Sequence, residues 1–104
     1  MLSLLRRWLG LGPKVNFKEL IEQGAVVVDV RTLEEYRAGH LSGSINIPLD
    51  HLPNQIAALK RKDALVITVC RSGMRSRLAA ELLSKHGIKA YNGGAWTSLR
   101  PKLG

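Results

Sequence analysis

One segment of the chain carries residues that could do chemistry: Cys70 and the loop that follows it. Cys70 is the only cysteine in 104 residues, and it comes directly after an apolar, β-branched run. A helix pattern starts a few residues later, so the connection between them can turn successive backbone N–H groups towards one point. The residues expected to form this cradle are Arg71, Ser72, Gly73, Met74, Arg75 and Ser76.

A thiol in such a cradle would be activated. Inward N–H groups and the flanking Arg71 and Arg75 favour the thiolate, and such surroundings lower a cysteine pKa from ~8.5 to ~3.5–7.5. Gly73 permits the backbone turn that the cradle needs. The alternative is that Cys70 is a small buried hydrophobe, the common fate of a free cysteine. Its position between strand and helix favours a nucleophile that needs no dedicated base.

The histidines offer no obvious partner for this thiol. His40, His51 and His86 lie near predicted turns or a helix end, where structural or surface roles are expected. No histidine and cysteine pair has metal-ligand spacing, and no glycine pattern fits a nucleotide site. We therefore expect no metal and no cofactor.

Strands and helices alternate along the chain, and the strands are apolar throughout. This pattern predicts a parallel sheet with helices on both faces. Ligands bind outside the carboxyl ends of such strands, where Cys70, Asp29 and Arg31 should lie. The predicted strands cover 25–30, 44–47, 64–69 and 88–91, with a turn at 93–94, and the predicted helices cover 17–22, 32–39, 52–60, 75–85 and 95–99.

Length and composition indicate one globular domain with a core of ordinary size. The net charge of +8 suits a protein that handles small anions. Nucleic-acid binding is disfavoured because the chain has only five aromatic residues and no recognisable binding motif. A single cysteine cannot form an intrachain disulfide, which fits a reducing, cytoplasmic compartment.

Residues 1–12 are expected to be an amphipathic, basic extension, with the domain proper at 13–104 and the protein a monomer. The extension is too short to span a bilayer and is a poor signal peptide. It could contact a membrane surface weakly, but packing on the domain or fraying is the preferred interpretation. Its apolar face would consist of Leu2, Leu5, Trp8 and Leu9.

Three segments together carry a family likeness: VDVRTLEEY followed by GHLSGSINIP (28–48), VCRSGMRS (69–76) and YNGGAW (91–96). With them, the chain from Pro13 to about Leu99 resembles the single-domain rhodaneses, which are thiosulfate-type sulfurtransferases. The resemblance implies a three-layer α/β fold, with a central, mostly parallel sheet of about five short strands and helices on both faces.

The resemblance also implies a reaction. A Cys70 thiolate takes the outer sulfur of a donor such as thiosulfate, sulfite leaves, and the persulfide passes its sulfur to cyanide, a thiol or a protein. The loop amides would stabilise the terminal sulfur, while Arg71 and Arg75 orient the donor. Ser72 and Ser76 would add hydrogen bonds.

Asp29 and Arg31 match the acid–arginine signature of this family. They are expected to brace the site, and a loop-fixing ion pair is at least as good an interpretation as a direct catalytic role.

Loop length separates two chemistries within this fold. Related phosphatases and arsenate reductases place five residues between the cysteine and an arginine, whereas Arg75 follows Cys70 after four and Ser76 takes the arginine position. The shorter loop suits one sulfur atom better than a phosphate. Two alternatives stay open: a sulfur carrier without turnover, loaded by another protein, and a phosphatase or arsenate reductase.

Overall fold

Two of the strands form where valine and isoleucine cluster, in a computed structural model that describes residues 15–103. β-branched side chains pack well on both faces of a pleated, buried surface. The four strands are β1 (Val26–Asp29), β2 (Ile45–Asn46), β3 (Val66–Cys70) and β4 (Ala90–Ala95).

Two of the helices begin at caps that the sequence encodes. The Asn16 side chain accepts a hydrogen bond from the Glu19 amide, and Thr32 and Glu35 form a reciprocal capping box. The helices are α1 (Phe17–Glu22), α2 (Leu33–Ala38), a 3₁₀ helix (Leu49–Gln55), α3 (Ile56–Lys62), α4 (Met74–Lys85) and α5 (Trp96–Leu103).

All strand pairings in the sheet are parallel, and the order is β2-β1-β3-β4. The two central strands are in register, with Asp29 of β1 opposite Val69 of β3. Their carboxyl ends therefore meet at one edge, which brings Asp29 and Cys70 close together as the sequence predicted.

Hydrophobic clusters lie on both faces of the sheet and make three layers. One cluster packs the 3₁₀ helix, α3 and α4 against the sheet, and the other packs α1 and α5. The first contains Val28, Val30, Leu52, Leu59, Val66, Cys70, Ala79, Leu83 and Ile88, and the second Val27, Leu41, Ile67, Val69 and Leu99.

The sheet differs from the prediction in two respects. About five strands were expected, whereas residues 15–103 contain four. The predicted turn at Gly93 and Gly94 is wrong, because both residues continue β4, where the register with β3 shifts between Thr68 and Val69. A β-bulge and a turn both favour glycine, so the sequence alone does not separate them.

Three helix boundaries also differ from the prediction. Pro53 lies inside the 3₁₀ helix, and since proline has no N–H to give an α-helix, the α-helix starts only at Ile56. The helix after the cysteine begins at Met74, and the last helix continues to Leu103, which packs on the second cluster.

Within residues 15–103 no helix is long and apolar enough to cross a membrane. The expected extension at 1–12 lies outside the described residues.

Candidate functional site

Cys70 is the last residue of β3, and its side chain is completely buried at the floor of the following loop. Gly73 adopts φ 101° immediately before α4, a conformation that side-chain-bearing residues rarely take. This turn aims two amides at the sulfur: Gly73 N lies 3.0 Å and Ser76 N lies 3.4 Å from Cys70 Sγ. The Ser76 Oγ lies 3.3 Å from the same atom. The Gly73 and Ser76 backbone amides thus converge on the sulfur, while the binding role of the six predicted cradle residues stays a prediction.

Two opposing effects act on the thiol. Burial is the largest single influence, and it raises the pKa of Cys70 because a charge is disfavoured away from water. Hydrogen bonds from the amides of Ser76, Gly73 and Ser72, and from the Ser76 hydroxyl when it turns towards the sulfur, together outweigh burial and leave the pKa of Cys70 below its ordinary value. The thiolate is therefore stabilised by the loop itself.

The two arginines of the loop have different environments. Arg71 is exposed, as are Ser72 and Met74, at the mouth of the cradle. Arg75 instead forms an ion pair with the Glu35 carboxylate of α2, with an Nη1–Oε1 distance of 2.8 Å. The hydrogen bonds from Arg75 lower the pKa of Glu35 to about 2, with help from the Thr32 amide. Arg75 is thus partly neutralised, whereas both arginines were expected to attract the donor.

Asp29 and Arg31 form a buried ion pair at the end of β1, with Arg31 Nη2 2.7 Å from Asp29 Oδ2. The same guanidinium donates to the carbonyls of Gly39 and Glu35 and stacks over the Trp96 ring. The hydrogen bonds of Arg31 thus connect the end of β1 to the segment around α2. This geometry favours the bracing interpretation over direct contact with Cys70.

Sequence reasoning missed Asn92, whose side chain contacts the cradle. Asn92 Oδ1 accepts hydrogen bonds from Ser76 Oγ at 2.6 Å and from the Gly94 amide at 2.9 Å. Asn92 Nδ2 faces the Gly73 carbonyl at 3.4 Å. The only available signal was its place directly before the glycine pair that forms the bulge.

Glu35 was also missed as a site residue. Its capping-box spacing with Thr32 explained it completely at the level of sequence, and the partner Arg75 lies 40 positions away.

The histidines are placed as expected. His40 stacks on the Tyr36 ring, with Nδ1 2.8 Å from the Tyr36 carbonyl, and His86 Nδ1 lies 3.0 Å from the Leu82 carbonyl. His51 is exposed next to Asp50. These contacts are structural or superficial.

A groove of about 410 Å³ opens beside the loop. Its walls are mostly apolar, with a carboxylate and a guanidinium in the lining. The lining residues are Val30, Thr32, Pro48, Leu49, Asp50 and Arg75. A cavity of about 440 Å³ lies elsewhere, between α1 and α5, and its lining includes no residue of the cradle.

The sequence of this domain matches a known protein family. Residues 14–97 match the family model described as "Rhodanese-like domain". The chain belongs to the rhodanese-like family. The predicted fold class and the resemblance seen in the sequence are thereby confirmed.

Individual relatives of this rhodanese-like domain include sulfurtransferases and a sulfur carrier. Thiosulfate sulfurtransferase GlpE of Pseudomonas fluorescens is 35% identical over 94 residues, which cover 86% of this chain and 85% of GlpE. Putative sulfur carrier protein YrkF of Bacillus subtilis is 35% identical over 75 residues, which cover 70% of this chain. That match spans only 40% of YrkF.

A solved structure described as a rhodanese with anions from E. coli superposes with a TM-score of 0.65 at 36% identity, covering 71% of this chain and 89% of that one. The rhodanese-like domain is therefore a member of a family of sulfurtransferases and sulfur carriers.

Proposed function

We propose that this domain transfers sulfane sulfur from a small anionic donor, such as thiosulfate, to cyanide, a thiol or a protein through a persulfide on Cys70. The observation that carries the proposal is the convergence of the Gly73 and Ser76 amides on Cys70 Sγ, at 3.0 and 3.4 Å. Donors fixed in this way stabilise negative charge on sulfur without any reorganisation during the reaction.

The first half-reaction loads the cysteine. The Cys70 thiolate attacks the outer sulfur of thiosulfate, a new S–S bond forms, and the old S–S bond breaks. Sulfite leaves with the electron pair of the broken bond. The negative charge of the persulfide then rests on its terminal sulfur, within reach of the loop amides.

The second half-reaction unloads it. A cyanide ion or an acceptor thiolate attacks the terminal sulfur, and the Cys70 thiolate leaves with the electron pair. Thiocyanate or an acceptor persulfide is released and the starting thiolate is restored. A depressed pKa assists this step because a more acidic thiol is a better leaving group. No cofactor enters either half-reaction.

The exposed cradle residues have distinct parts in this scheme. Arg71 stands at the mouth and draws the donor anion inwards, and Ser72 contributes an amide to the sulfur. Arg75 adds a partly neutralised positive charge at the adjoining groove. Met74 is 60% exposed, so it forms an apolar part of the rim that an acceptor would meet.

Phosphate chemistry is less well supported. In the related phosphatases, the phosphate-binding arginine occupies the position that corresponds to the residue after Arg75. Here that position is Ser76, whose short side chain is completely buried and lies beside the sulfur. A cradle closed by serine holds a single sulfur atom more readily than a tetrahedral oxyanion.

A sulfur carrier without appreciable turnover is the second candidate. The complete burial of Cys70 and the groove of about 410 Å³ that Arg75 lines beside the loop favour an acceptor that docks over the loop. Under this hypothesis the persulfide forms, but its sulfur moves efficiently only to a protein.

The test is steady-state production of thiocyanate from thiosulfate and cyanide, run beside hydrolysis of an aryl phosphate. Cys70→Ser is the matched control, since it changes one atom of the nucleophile. We expect thiocyanate from the unmodified protein, none from Cys70→Ser, and no phosphatase activity. Cys70-dependent phosphate release without thiocyanate would overturn the proposal. One equivalent of transferable sulfur per chain, without further turnover, would select the carrier.

A further inference from the structure

The Ser76 hydroxyl stands between three groups that compete for its single hydrogen. Ser76 Oγ lies 2.6 Å from Asn92 Oδ1, 3.1 Å from the Gly73 carbonyl and 3.3 Å from Cys70 Sγ. A hydroxyl has one hydrogen to donate and two lone pairs with which to accept. It therefore cannot donate to Asn92 and to Cys70 at the same time.

The orientation of the Asn92 amide decides which group receives the hydrogen. The Gly94 N–H can only donate, so the Asn92 atom that faces it at 2.9 Å must be the carbonyl oxygen. The same oxygen lies 2.6 Å from Ser76 Oγ, which must then be the donor in this contact. The shortest of the three contacts thus directs the hydrogen away from the sulfur.

This direction matters for the cysteine. While its hydrogen points to Asn92, the Ser76 oxygen presents lone pairs to Cys70 Sγ and can accept a hydrogen bond from the thiol. A hydrogen bond made by the neutral form opposes ionisation, whereas one made to the charged form favours it. The hydroxyl stabilises the thiolate only after it has rotated from Asn92 towards the sulfur.

We propose that Asn92 is a positioning residue that holds the Ser76 hydroxyl away from Cys70 and so sets how readily the thiolate forms. The role rests on the proposed function, in which the thiolate is the nucleophile. A thiolate that receives fewer hydrogen bonds is the more reactive one. Asn92 thereby keeps Cys70 reactive instead of strongly stabilised, while the Gly73 and Ser76 amides supply the baseline stabilisation.

Other charges also face this site. Arg75 of α4 interacts electrostatically with Cys70, and Glu35 of α2 partly neutralises the charge of Arg75. The buried pair of Asp29 and Arg31 lies at the end of β1. The loop adds the exposed charge of Arg71. All of these groups are unchanged when Asn92 or Ser76 is replaced by alanine, so the comparison isolates the hydroxyl.

The experiment measures the rate at which iodoacetamide alkylates the full chain as a function of pH. One cysteine means one reacting site, and the midpoint of the profile reports the thiol ionisation. For Asn92→Ala we expect the midpoint to fall by about 0.5 to 1 pH unit, the effect of gaining one hydrogen bond to the charged form. In a Ser76→Ala background, Asn92→Ala should leave the midpoint unchanged.

The proposal is overturned if Asn92→Ala raises the midpoint or leaves it unchanged, or if its shift persists without the Ser76 hydroxyl. Either result would mean that Asn92 merely supports the loop. Should Asn92→Ala fail to fold, Ser76→Ala alone tests the orientation: the midpoint should stay or fall if the hydroxyl points to Asn92, and a rise would show that it donates to the thiolate and would overturn the proposal. Alkylation involves no sulfur transfer, so this test can fail or succeed independently of the proposed function.

Discussion

The guanidinium of Arg75 and the carboxylate of Glu35 form a two-point ion pair, with Nη1–Oε1 at 2.8 Å and Nη2–Oε2 at 3.0 Å. The same Oε1 accepts hydrogen bonds from the amide and the hydroxyl of Thr32. The capping box of α2 is therefore linked directly to the loop that follows Cys70. Arg75, which the sequence analysis expected to orient the sulfur donor, is thus also bonded to the carboxylate of a helix-capping residue.

Glu35→Gln should lower the KM for thiosulfate by about 1.4- to 5-fold, the range expected when a partly exposed ion pair of ~0.2–1 kcal/mol is removed. The released Arg75 would offer its full charge to the dianion. Glutamine retains the capping box, so α2 should persist. Steady-state kinetics check this, with Glu34→Gln as a control for lost surface charge. An unchanged or higher KM for Glu35→Gln would contradict the expectation.

The ion pair also predicts a pH dependence of stability. Because the folded-state pKa of Glu35 lies at about 2, below its ordinary 4.5, the contribution is complete above about pH 4.5 and is lost as the pH falls towards 2. The pair is about one-third exposed, so the loss should be small. The free energies of unfolding of the unmodified protein and Glu35→Gln, measured in urea, should converge as the pH falls from about 4.5 towards 2. A constant gap throughout that window would rule the ion pair out as its cause.

Asp29→Ala should destabilise the fold by about 3–5 kcal/mol, because it leaves the buried Arg31 charge without its partner. The free energy of unfolding in urea measures this. The matched control is Glu81→Ala, which breaks the exposed i,i+4 pair with Arg77 and should cost less than about 0.5 kcal/mol. Equal losses of unfolding free energy in the two variants would show that burial does not make the Asp29 pair more important for stability than the exposed pair.

The glycine pair of β4 offers a second comparison. A Cβ on Gly93 would lie 2.9 Å from the Thr68 carbonyl oxygen, whereas a Cβ on Gly94 would meet nothing within 4 Å. Gly93→Ala should therefore cost about 2–3 kcal/mol through overpacking against backbone. Gly94 has φ 78°, so Gly94→Ala should cost only about 1 kcal/mol of conformational strain. Thermal unfolding gives the ranking, and the reverse order would contradict the packing argument.

Features that depend on neighbouring residues in the chain could be predicted from the sequence. Cys70 and Asp29 end two apolar strands, and parallel pairing then requires their carboxyl ends to share an edge. The capping box at Thr32 and the loop before α4 were also readable, since each depends on residues within a few positions.

Contacts between distant segments were beyond such reasoning. The Glu35–Arg75 pair depends on where α2 packs relative to the loop, and the Asn92–Ser76 contact depends on the bulge in β4. Glu35 and the Gly93–Gly94 pair each had a satisfactory local explanation, as a cap and as a turn. Only the pairing of β4 with β3 distinguishes bulge from turn.

In the proposed reaction, Cys70 carries the transferred sulfur. Intact-protein mass spectrometry after incubation with thiosulfate tests it most directly, before and after addition of cyanide. We expect a gain in mass equal to one sulfur atom, lost on treatment with cyanide and absent in Cys70→Ser. An unchanged mass after thiosulfate, or the same gain in Cys70→Ser, would contradict it.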